Sequence, residues 1–457
     1  MGDVLSVILA AGEGKRMNSK RSKVLHEISG KSLLGWVTSS VKAAGVDEMV
    51  VVVGNRSEQV KSAMGEGFKY ANQESQLGTG HAVMQAREWL EGRSGTVLIL
   101  CGDTPLVSEK TIKDALDFHT KNTNTATVIT TSLDEPFGYG RIIRDERGNL
   151  RGIVEQKDAT TAQKQIKEIN SGMYCFDIQA LLESLDKLTN ENSQNEYYLT
   201  DTLEILSNKG LKVSPFMIDE KDEILGVNDR MQLATAQRLM NERIIKNHLS
   251  NGVSFISPET TFIDADVTIG MDTIIYPQVI LQGKTAIGED CVIGSGSKVV
   301  DSKLDNGVYF DNSCIHESVV GKNTKVGPFA YIRPGSQIGK NVKIGDFVEI
   351  KKASIGDNTK VSHLTYVGDA VVENDVNIGC GVVVVNYDGQ TKHKTHVKEN
   401  SFVGCNVNLI SPVVVEKGAY IAAGTTVTEN VPENGLAIGR SRQTVKENWV
   451  KKRKGDV

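Results

Sequence analysis

The chain has 457 residues, room for about three domains by length alone, yet aromatic residues make up only 5% of it while glycine reaches 44. A formal net charge of −5 advertises no polyanion-binding surface, which argues against a nucleic-acid partner. None of the six cysteines forms a Cys-x-x-Cys pair, which argues against a zinc site and a disulfide framework and implies a reducing, cytoplasmic compartment; no apolar run reaches membrane-spanning length.

Apolar runs at Val4–Leu9, Glu48–Val53 and Thr96–Leu100 alternate with helix-like segments at Leu33–Ala44 and Gly80–Trp89. Strand, helix, strand in succession predicts a parallel sheet covered on both faces, with ligands at the carboxyl ends of its strands. The first run has no basic flank, so it reads as a strand and not a signal peptide. A myristoylation pattern at Met1–Ser6 is set aside for the same reason, since a buried strand is expected from Val4.

Directly after the first strand comes Leu9-Ala10-Ala11-Gly12-Glu13-Gly14-Lys15-Arg16-Met17. Two glycines let backbone wrap closely on phosphate oxygens, and Arg16 adds charge and paired donors. Met17 stands where a dinucleotide fingerprint needs its third glycine, and no Gly-Lys-Ser/Thr follows as a P-loop requires. The alternative is a plain tight turn.

Further along, Leu233, Ala236, Met240 and Ile244 form one stripe at helical spacing, ending before Asn251-Gly252. This predicts a connecting helix over 229–250, its charges read as a solvated face.

Beyond it the period changes. Aliphatic residues stand at Val320, Val326, Ile332, Ile338, Ile344 and Ile350, slip by one to Ile355, and resume at Val361 and Val367. A period of six belongs to a parallel β-helix, in which each hexad is a short strand and a turn. With three sides per coil, residues about eighteen apart stack, so Ile332, Ile350 and Gly368–Asp369 are expected in one column. Polar residues interrupt the pattern at Arg333, Glu349, Lys351, Lys352, His363, Tyr366, Asn377, Asn386 and Tyr387. Arg333 and Lys351 are expected to stack as a phosphate site, with His363 about two coils past Arg333 as a catalytic candidate on a rigid scaffold. The interruption at Val384–Ser401 reads as a solvated loop or as a flap reaching a neighbouring protomer, and the basic segment Lys446–Lys454 as a tail.

The string from Leu9 to Met17 resembles the signature of sugar-1-phosphate nucleotidyltransferases. Matching stretches follow in order: Lys23 in Ser22-Lys23-Val24-Leu25, Gln76–Ala82, Cys101–Pro105, Gly138–Arg141, Ile153–Lys157, Glu168–Gly172 and Gly226–Arg230. Joined to a hexad solenoid, the set resembles the bacterial family of bifunctional enzymes that acetylate glucosamine-1-phosphate and then uridylylate the product, supplying cell-envelope polysaccharides such as peptidoglycan. That resemblance implies an α/β chain with a Rossmann-like uridylyltransferase domain at 1–228, a linking helix at 229–250, and at 251–457 a left-handed parallel β-helix of hexapeptide repeats carrying N-acetyltransferase activity.

It also implies roles. Leu9, Ala10, Ala11, Gly12 and Gln73 would hold uridine and phosphates, with Gly78 and Thr79 reading the uracil. Gly138, Glu155 and Asn170 would grip N-acetylglucosamine. Asp103 and Asn228 would ligate Mg²⁺, a hard cation suited to oxygen donors. The attacking phosphate is already ionised, so alignment and charge neutralisation remain, for which Arg16 and Lys23 are suited. In the solenoid, Ser362–Asp369 looks like the acetyl-transfer motif with His363 as base: an amine must lose a proton to attack acetyl-CoA, and an imidazole with a pKa of about 6.5 can take it. Arg333 and Lys351 would bind the sugar phosphate; Tyr366, Asn377, Asn386 and Tyr387 would orient the sugar. Asn386 and Tyr387 would also meet acetyl-CoA, together with Cys380, Cys405, Ala423 and Arg440. A homotrimer with intersubunit acetyl-transfer sites is implied, without membrane insertion. Four positions depart from the family: Glu13 and Lys15, where Lys and Thr are usual, and Cys380 and Cys405, where Ala and Ser are frequent. Two rivals remain, a single-activity nucleotide-sugar pyrophosphorylase with a structural solenoid and a non-enzymatic subunit of a translation-factor exchange complex. The first expects no histidine with a stacked cation pair, the second a degraded phosphate loop.

Overall fold

The computed structural model describes residues 3–454; Gly2, the residue a myristoyl group would take, lies outside them. The described chain divides into two compact units, up to Met240 and from Asn241 onward.

In the first unit, four strands are parallel neighbours: β1 (Val4–Ala10), β2 (Glu48–Val53), β3 (Lys69–Asn72) and β4 (Thr96–Cys101). Alternation along them builds two cores. Leu5, Val7, Val50, Val52, Val97 and Ile99 pack on one face, and Ile8, Ala10, Val51, Val53, Leu98 and Leu100 on the other. A sheet buried on both sides needs such unbroken apolar runs. The sheet is nevertheless mixed. Beyond β5 (Ala126–Ser132), the long strand β6 (Glu168–Asp177) inserts antiparallel between β4 and β5. The helix expected at Gly80–Trp89 is two short ones, Thr79–Met84 and Arg87–Leu90.

The connecting helix runs over Arg230–Ser250, through the division at Met240. Its stripe turns slightly from the expected one: Ala236, Met240 and Ile245 are buried, whereas Ile244 is only partly so. Asn241 and Ile245 belong to the solenoid. The Asn241 amide donates to Thr261 O at 2.7 Å and accepts from Ile263 N at 3.0 Å, and Ile245 closes the end of the aliphatic core.

The solenoid is a three-sided prism with sheets of eleven, ten and nine strands. Every strand is two to four residues long and pairs parallel with the equivalent strand one coil on. The expected column needs one correction. Ile332 pairs with Ile350, but Ile350 pairs with Val367, and Gly368 falls opposite Lys351. The slip at Ile355 shortens that coil by one residue, because Ile338 is registered on Ile355 and Ile344 on Val361. Buried hydroxyls, which hexad counting does not reveal, tie the coils together: Thr324 Oγ1 donates to Gly339 O at 2.8 Å and accepts from Val342 N at 3.0 Å, using both capacities of the group.

Because Ile350 is fully buried between Ile332 and Val367, Ile350→Ala should cost about 2–5 kcal/mol and Ile350→Val about 0.5–1.5 kcal/mol. Chemical unfolding of the solenoid followed by circular dichroism measures both, and equal effects would contradict a close-packed column.

Candidate active sites

The first site forms where β1 and β4 end. Gly14 has φ 64°, and a Cβ there would stand 2.7 Å from Lys23 Cβ, so the loop turns only because this residue is glycine. The loop folds over Lys23, whose ammonium forms an ion pair with Asp103 Oδ2 and donates to Asn228 Oδ1 at 3.1 Å. Three cavities meet here. One of about 240 Å³ is lined by Leu9, Ala10, Ala11, Gly12, Lys23, Gln73, Gly78, Thr79 and Asp103 among others. One of about 500 Å³ runs outside the loop past Glu13 and Lys15 to Arg56. One of about 410 Å³ is lined by Arg16, Asp103, Gly138, Tyr139 and Asn228.

The loop carries its own charge compensation, since Lys15 pairs with Glu13 at 2.5 Å. Gln73 donates to Gly78 O at 3.1 Å, holding the turn whose Gly78 has φ 106°. Thr79 Oγ1 accepts from Leu199 N at 3.0 Å. Glu155 and Asn170 line none of the three cavities, and Asn170 N donates to Gly140 O at 2.9 Å. Burial pushes the Glu155 carboxyl up, against a bond from Thr200, with Asp201, Asp158 and Glu196 adding to the rise. Both ends of the Asn170 amide are engaged, with Tyr174 Oη at 2.7 Å and Gly172 N at 3.0 Å. The motif Gly138–Arg141 proves to contain a support not legible in sequence. Arg141 is fully buried and donates to Gln156 Oε1 at 2.7 Å, the same oxygen that accepts from Gly138 N at 3.3 Å.

The second site occupies one corner of the prism and its two adjoining sheets. On the ten-stranded sheet, Arg333 and Lys351 occupy equivalent places one coil apart, each one residue past the paired Ile332 and Ile350. Neither cation is bare: Arg333 pairs with Glu349 at 2.8 Å, and buried Lys351 with Asp369 at 3.0 Å. Asn386 also donates to Asp369, and the Lys351 ammonium pushes neighbouring Lys392 down. Tyr366 lies on this sheet opposite Glu349.

His363 is not in the Arg333 column. It ends a strand of the eleven-stranded sheet, registered on Asp346, and stands at the corner with its Nδ1 2.5 Å from Asp346 Oδ1. A carboxylate only accepts, so Nδ1 carries the hydrogen and Nε2 is left with its lone pair. The same bond holds the Asp346 carboxyl below the usual range. The corner continues coil by coil. Val361, Ile378, Val403 and Ile421 are in register, and two residues past each come His363, Cys380, Cys405 and Ala423. Arg440 reaches this ladder by donating to Ala423 O at 2.6 Å. Asn377 sits on the eleven-stranded sheet between Lys360 and Phe402, away from Arg333, Lys351 and Tyr366. Asn386 is on the other side, with Lys351. Tyr387 is exposed and donates to Gly389 O at 2.6 Å. The expected flap is smaller than Val384–Ser401: Thr395–Val397 returns to the nine-stranded sheet beside Ala370–Val372, leaving a loop closed by a bridge between Tyr387 and Lys392.

A family described as nucleotidyl transferase matches residues 5–223, and bacterial transferase hexapeptide repeats match 266–301 and 317–352. The chain is 60% identical over 450 residues to a protein named Bifunctional protein GlmU from Acetivibrio thermocellus, covering 98% of both chains. The chain belongs to the GlmU family. Proteins of the same name from Caldanaerobacter subterraneus and Clostridioides difficile are 54% and 52% identical, over 99% and 98% of this chain and 99% and 97% of theirs. In this GlmU family member, the fold brings together motif residues distant in sequence, such as Lys23, Asp103 and Asn228, but sequence patterns did not show the partners that orient the candidate residues. Gln156 and Asp369 lie inside the stretches Ile153–Lys157 and Ser362–Asp369 but had no role assigned there, and Asp346 and Lys392 lie outside every matched stretch. Asp346 and Asp369 were within reach of counting, the first seventeen residues before His363 and the second eighteen after Lys351.

Proposed function

We infer that this chain is a bifunctional transferase of UDP-N-acetylglucosamine synthesis, acetylating glucosamine-1-phosphate from acetyl-CoA and then transferring uridylyl from UTP to N-acetylglucosamine-1-phosphate with release of pyrophosphate. The observation that carries this reading is the coexistence, in one chain, of a Lys23–Asp103–Asn228 cluster on a glycine-rich loop and a His363–Asp346 pair on a hexad corner. A pyrophosphorylase with an inert solenoid has no use for the second, and a regulatory subunit none for the first.

For uridylyl transfer, an oxygen of the sugar phosphate attacks the α-phosphorus of UTP and the bond to pyrophosphate breaks. Asp103 and Asn228 direct two oxygens at one positive charge, the Lys23 ammonium, a donor set that fits Mg²⁺. When bound there, Mg²⁺ supplies charge to the phosphates. Lys23 and Arg16 add their own cations, the Leu9–Gly12 backbone cradles phosphate, and Gly78 and Thr79 bound the uracil end. Gly138, held by Gln156, takes the sugar together with Glu155 and Asn170.

For acetyl transfer, the amine of glucosamine-1-phosphate loses a proton to His363 Nε2, its nitrogen attacks the thioester carbonyl, and CoA leaves as thiol. Asp346 keeps the ring oriented throughout. Arg333 and Lys351 take the phosphate, whose oxygens compete with Glu349 and Asp369 for the same donors. Tyr366 and Asn386 lie on that face, and acetyl-CoA follows the ladder Cys380, Cys405, Ala423 and Arg440. Neither cysteine acts as a nucleophile.

The separation of Asn377 from the other sugar ligands supports a site completed by another subunit, and so does the surface beside His363. Phe329, Phe347 and Leu364 follow one another at the corner, all exposed and all at positive φ, with the two phenyl rings stacked 5.4 Å apart. Equivalent positions in later coils are Gly381, Asn406 and Gly424. Bulky residues in left-handed backbone are strained, and an exposed apolar strip costs solubility. Burial against a second copy accounts for both, consistent with a homotrimer. Six free thiols fit a cytoplasmic setting. Among the described residues no helix is long and apolar enough to cross a membrane.

The direct test supplies glucosamine-1-phosphate, acetyl-CoA, UTP and Mg²⁺ together and follows CoA and pyrophosphate separately. Both should appear, CoA first, and pyrophosphate without CoA would reduce the protein to a pyrophosphorylase. We place the functional division within 229–250. A fragment of residues 230–457, which keeps Asn241 and Ile245, should sediment as a trimer and acetylate unaided, while residues 1–250 should retain uridylyl transfer. A fully active monomeric solenoid fragment would remove the case for intersubunit sites.

A further inference from the structure

The six cysteines have different surroundings. Cys175 and Cys291 are buried, Cys101 Sγ lies 3.7 Å from Gly172 O, and Cys314 Sγ contacts His316 Nε2 at 3.2 Å. Cys380 is half-buried and Cys405 exposed. These two occupy equivalent places in successive coils. Ile378 is registered on Val403, Gly379 N donates to Val403 O at 2.8 Å, and Asn406 N donates to Cys380 O at 2.7 Å. The coils touch backbone to backbone here: a Cβ on Gly379 would stand 2.7 Å from Cys405 N. Neighbouring parallel strands run about 4.8 Å apart, and disulfides span Cα separations of about 4.4–6.8 Å. The cysteine column is also the one that begins with Asp346 and His363 and continues to Ala423.

We propose that Cys380 and Cys405 form a redox modification site, whose substrate is a low-molecular-weight disulfide and whose product is a cross-coil disulfide that closes the acetyl-CoA end of the His363 corner. The proposal rests on the acetyl-transfer reading of that corner. The exposed Cys405 thiolate attacks one sulfur of the small disulfide, forming a mixed disulfide and releasing one thiol. Cys380, as thiolate, then attacks Cys405 Sγ, forming the internal disulfide and releasing the second thiol. Two protein thiols are oxidised and one small disulfide is reduced to two thiols; a dithiol reverses the exchange. Access follows from function, since a corner that admits the thioester end of acetyl-CoA admits a reagent of similar size. The bond would tie together two side chains that must otherwise lie back along the path of the co-substrate, and misplacing a reacting group by about 1 Å costs on the order of 10²-fold.

The full-length protein is incubated with glutathione disulfide, with and without acetyl-CoA, and each sample is divided. One half goes to intact and peptide mass measurement under non-reducing conditions, the other to the acetyl-transfer and uridylyl-transfer assays. We expect the mass of two hydrogens to be lost from a Cys380–Cys405 cross-linked peptide. Acetyl transfer should fall about 10²-fold and return with dithiothreitol, uridylyl transfer should hold, and acetyl-CoA should slow the loss. C405S, compared with its own reduced form, should lose the sensitivity, whereas C380A, lacking the resolving thiol, should stop at the Cys405–glutathione mixed disulfide and give no cross-linked peptide. Three results would overturn the proposal: no cross-linked peptide, a cross-link that leaves acetyl transfer intact, or undiminished inactivation of C405S. A reduced protein that never acetylates would instead defeat the functional reading, while the mass measurement would still score the disulfide.

Discussion

His363→Ala should lower acetyl transfer by about 10²–10⁴-fold while uridylyl transfer remains at the wild-type rate. The size of the effect reflects the proton that has to move. Without Nε2 beside it, the substrate ammonium must shed that proton to water before its nitrogen can attack. KM for glucosamine-1-phosphate should change little, because Arg333 and Lys351 lie on the adjoining sheet and not in the His363 ladder. Raising the pH should return part of the lost rate, since more amine then arrives neutral. Asp346→Asn gives a graded companion: an amide at that place can donate as well as accept, and so lets the ring take the wrong tautomer. Steady-state assays across pH 6–9 measure all of this (a range on the order of the imidazole and amine titrations). Acetylation by His363→Ala within about twofold of wild type would take this residue out of the mechanism.

Asp103→Asn should have the opposite selectivity, cutting uridylyl transfer by about 10²–10³-fold and leaving acetyl transfer untouched. The replacement is nearly isosteric, so the fold around the Val227 N bond to Asp103 O, 2.9 Å long, should persist. What disappears is the negative charge that faces Lys23 and, with Asn228, provides the oxygen pair suited to a divalent cation. Titrating Mg²⁺ against pyrophosphate release, with CoA release as the internal control, separates weaker cation binding from a lower maximal rate. Parallel loss of both activities in a folded protein would contradict two independent sites.

Some of this was written in local pattern. An unbroken apolar run on a sheet buried on both faces and a period of six on a prism are set by which residues must face the core, so Val50–Val53 and Val320–Val367 announced their architecture unaided. The glycine turn after β1 was equally legible, because Gly14 in left-handed backbone against Lys23 is a demand that one residue type meets. Hydroxyl ladders and the antiparallel β6 were not, since hydrogen-bond partners far apart in sequence leave no spacing to count.

The division between the two levels is sharpest at the solenoid corner. Residue pattern showed the hexad coils, and the resemblance its motifs carry pointed to a nucleotidyltransferase-like unit and to the residue types proposed for the chemistry. Their grouping was set by the folded coils. One residue missing from a coil moved Val367 into the Ile350 column, and His363 proved to stand on Asp346 at a corner, not in the Arg333 stack. The reason is that a period specifies which residues face inward, whereas the sheet on which an outward residue lands depends on every insertion and deletion before it. Ion pairing was likewise invisible: Glu349 and Asp369 neutralise the two cations only because the coils bring them within 3.0 Å.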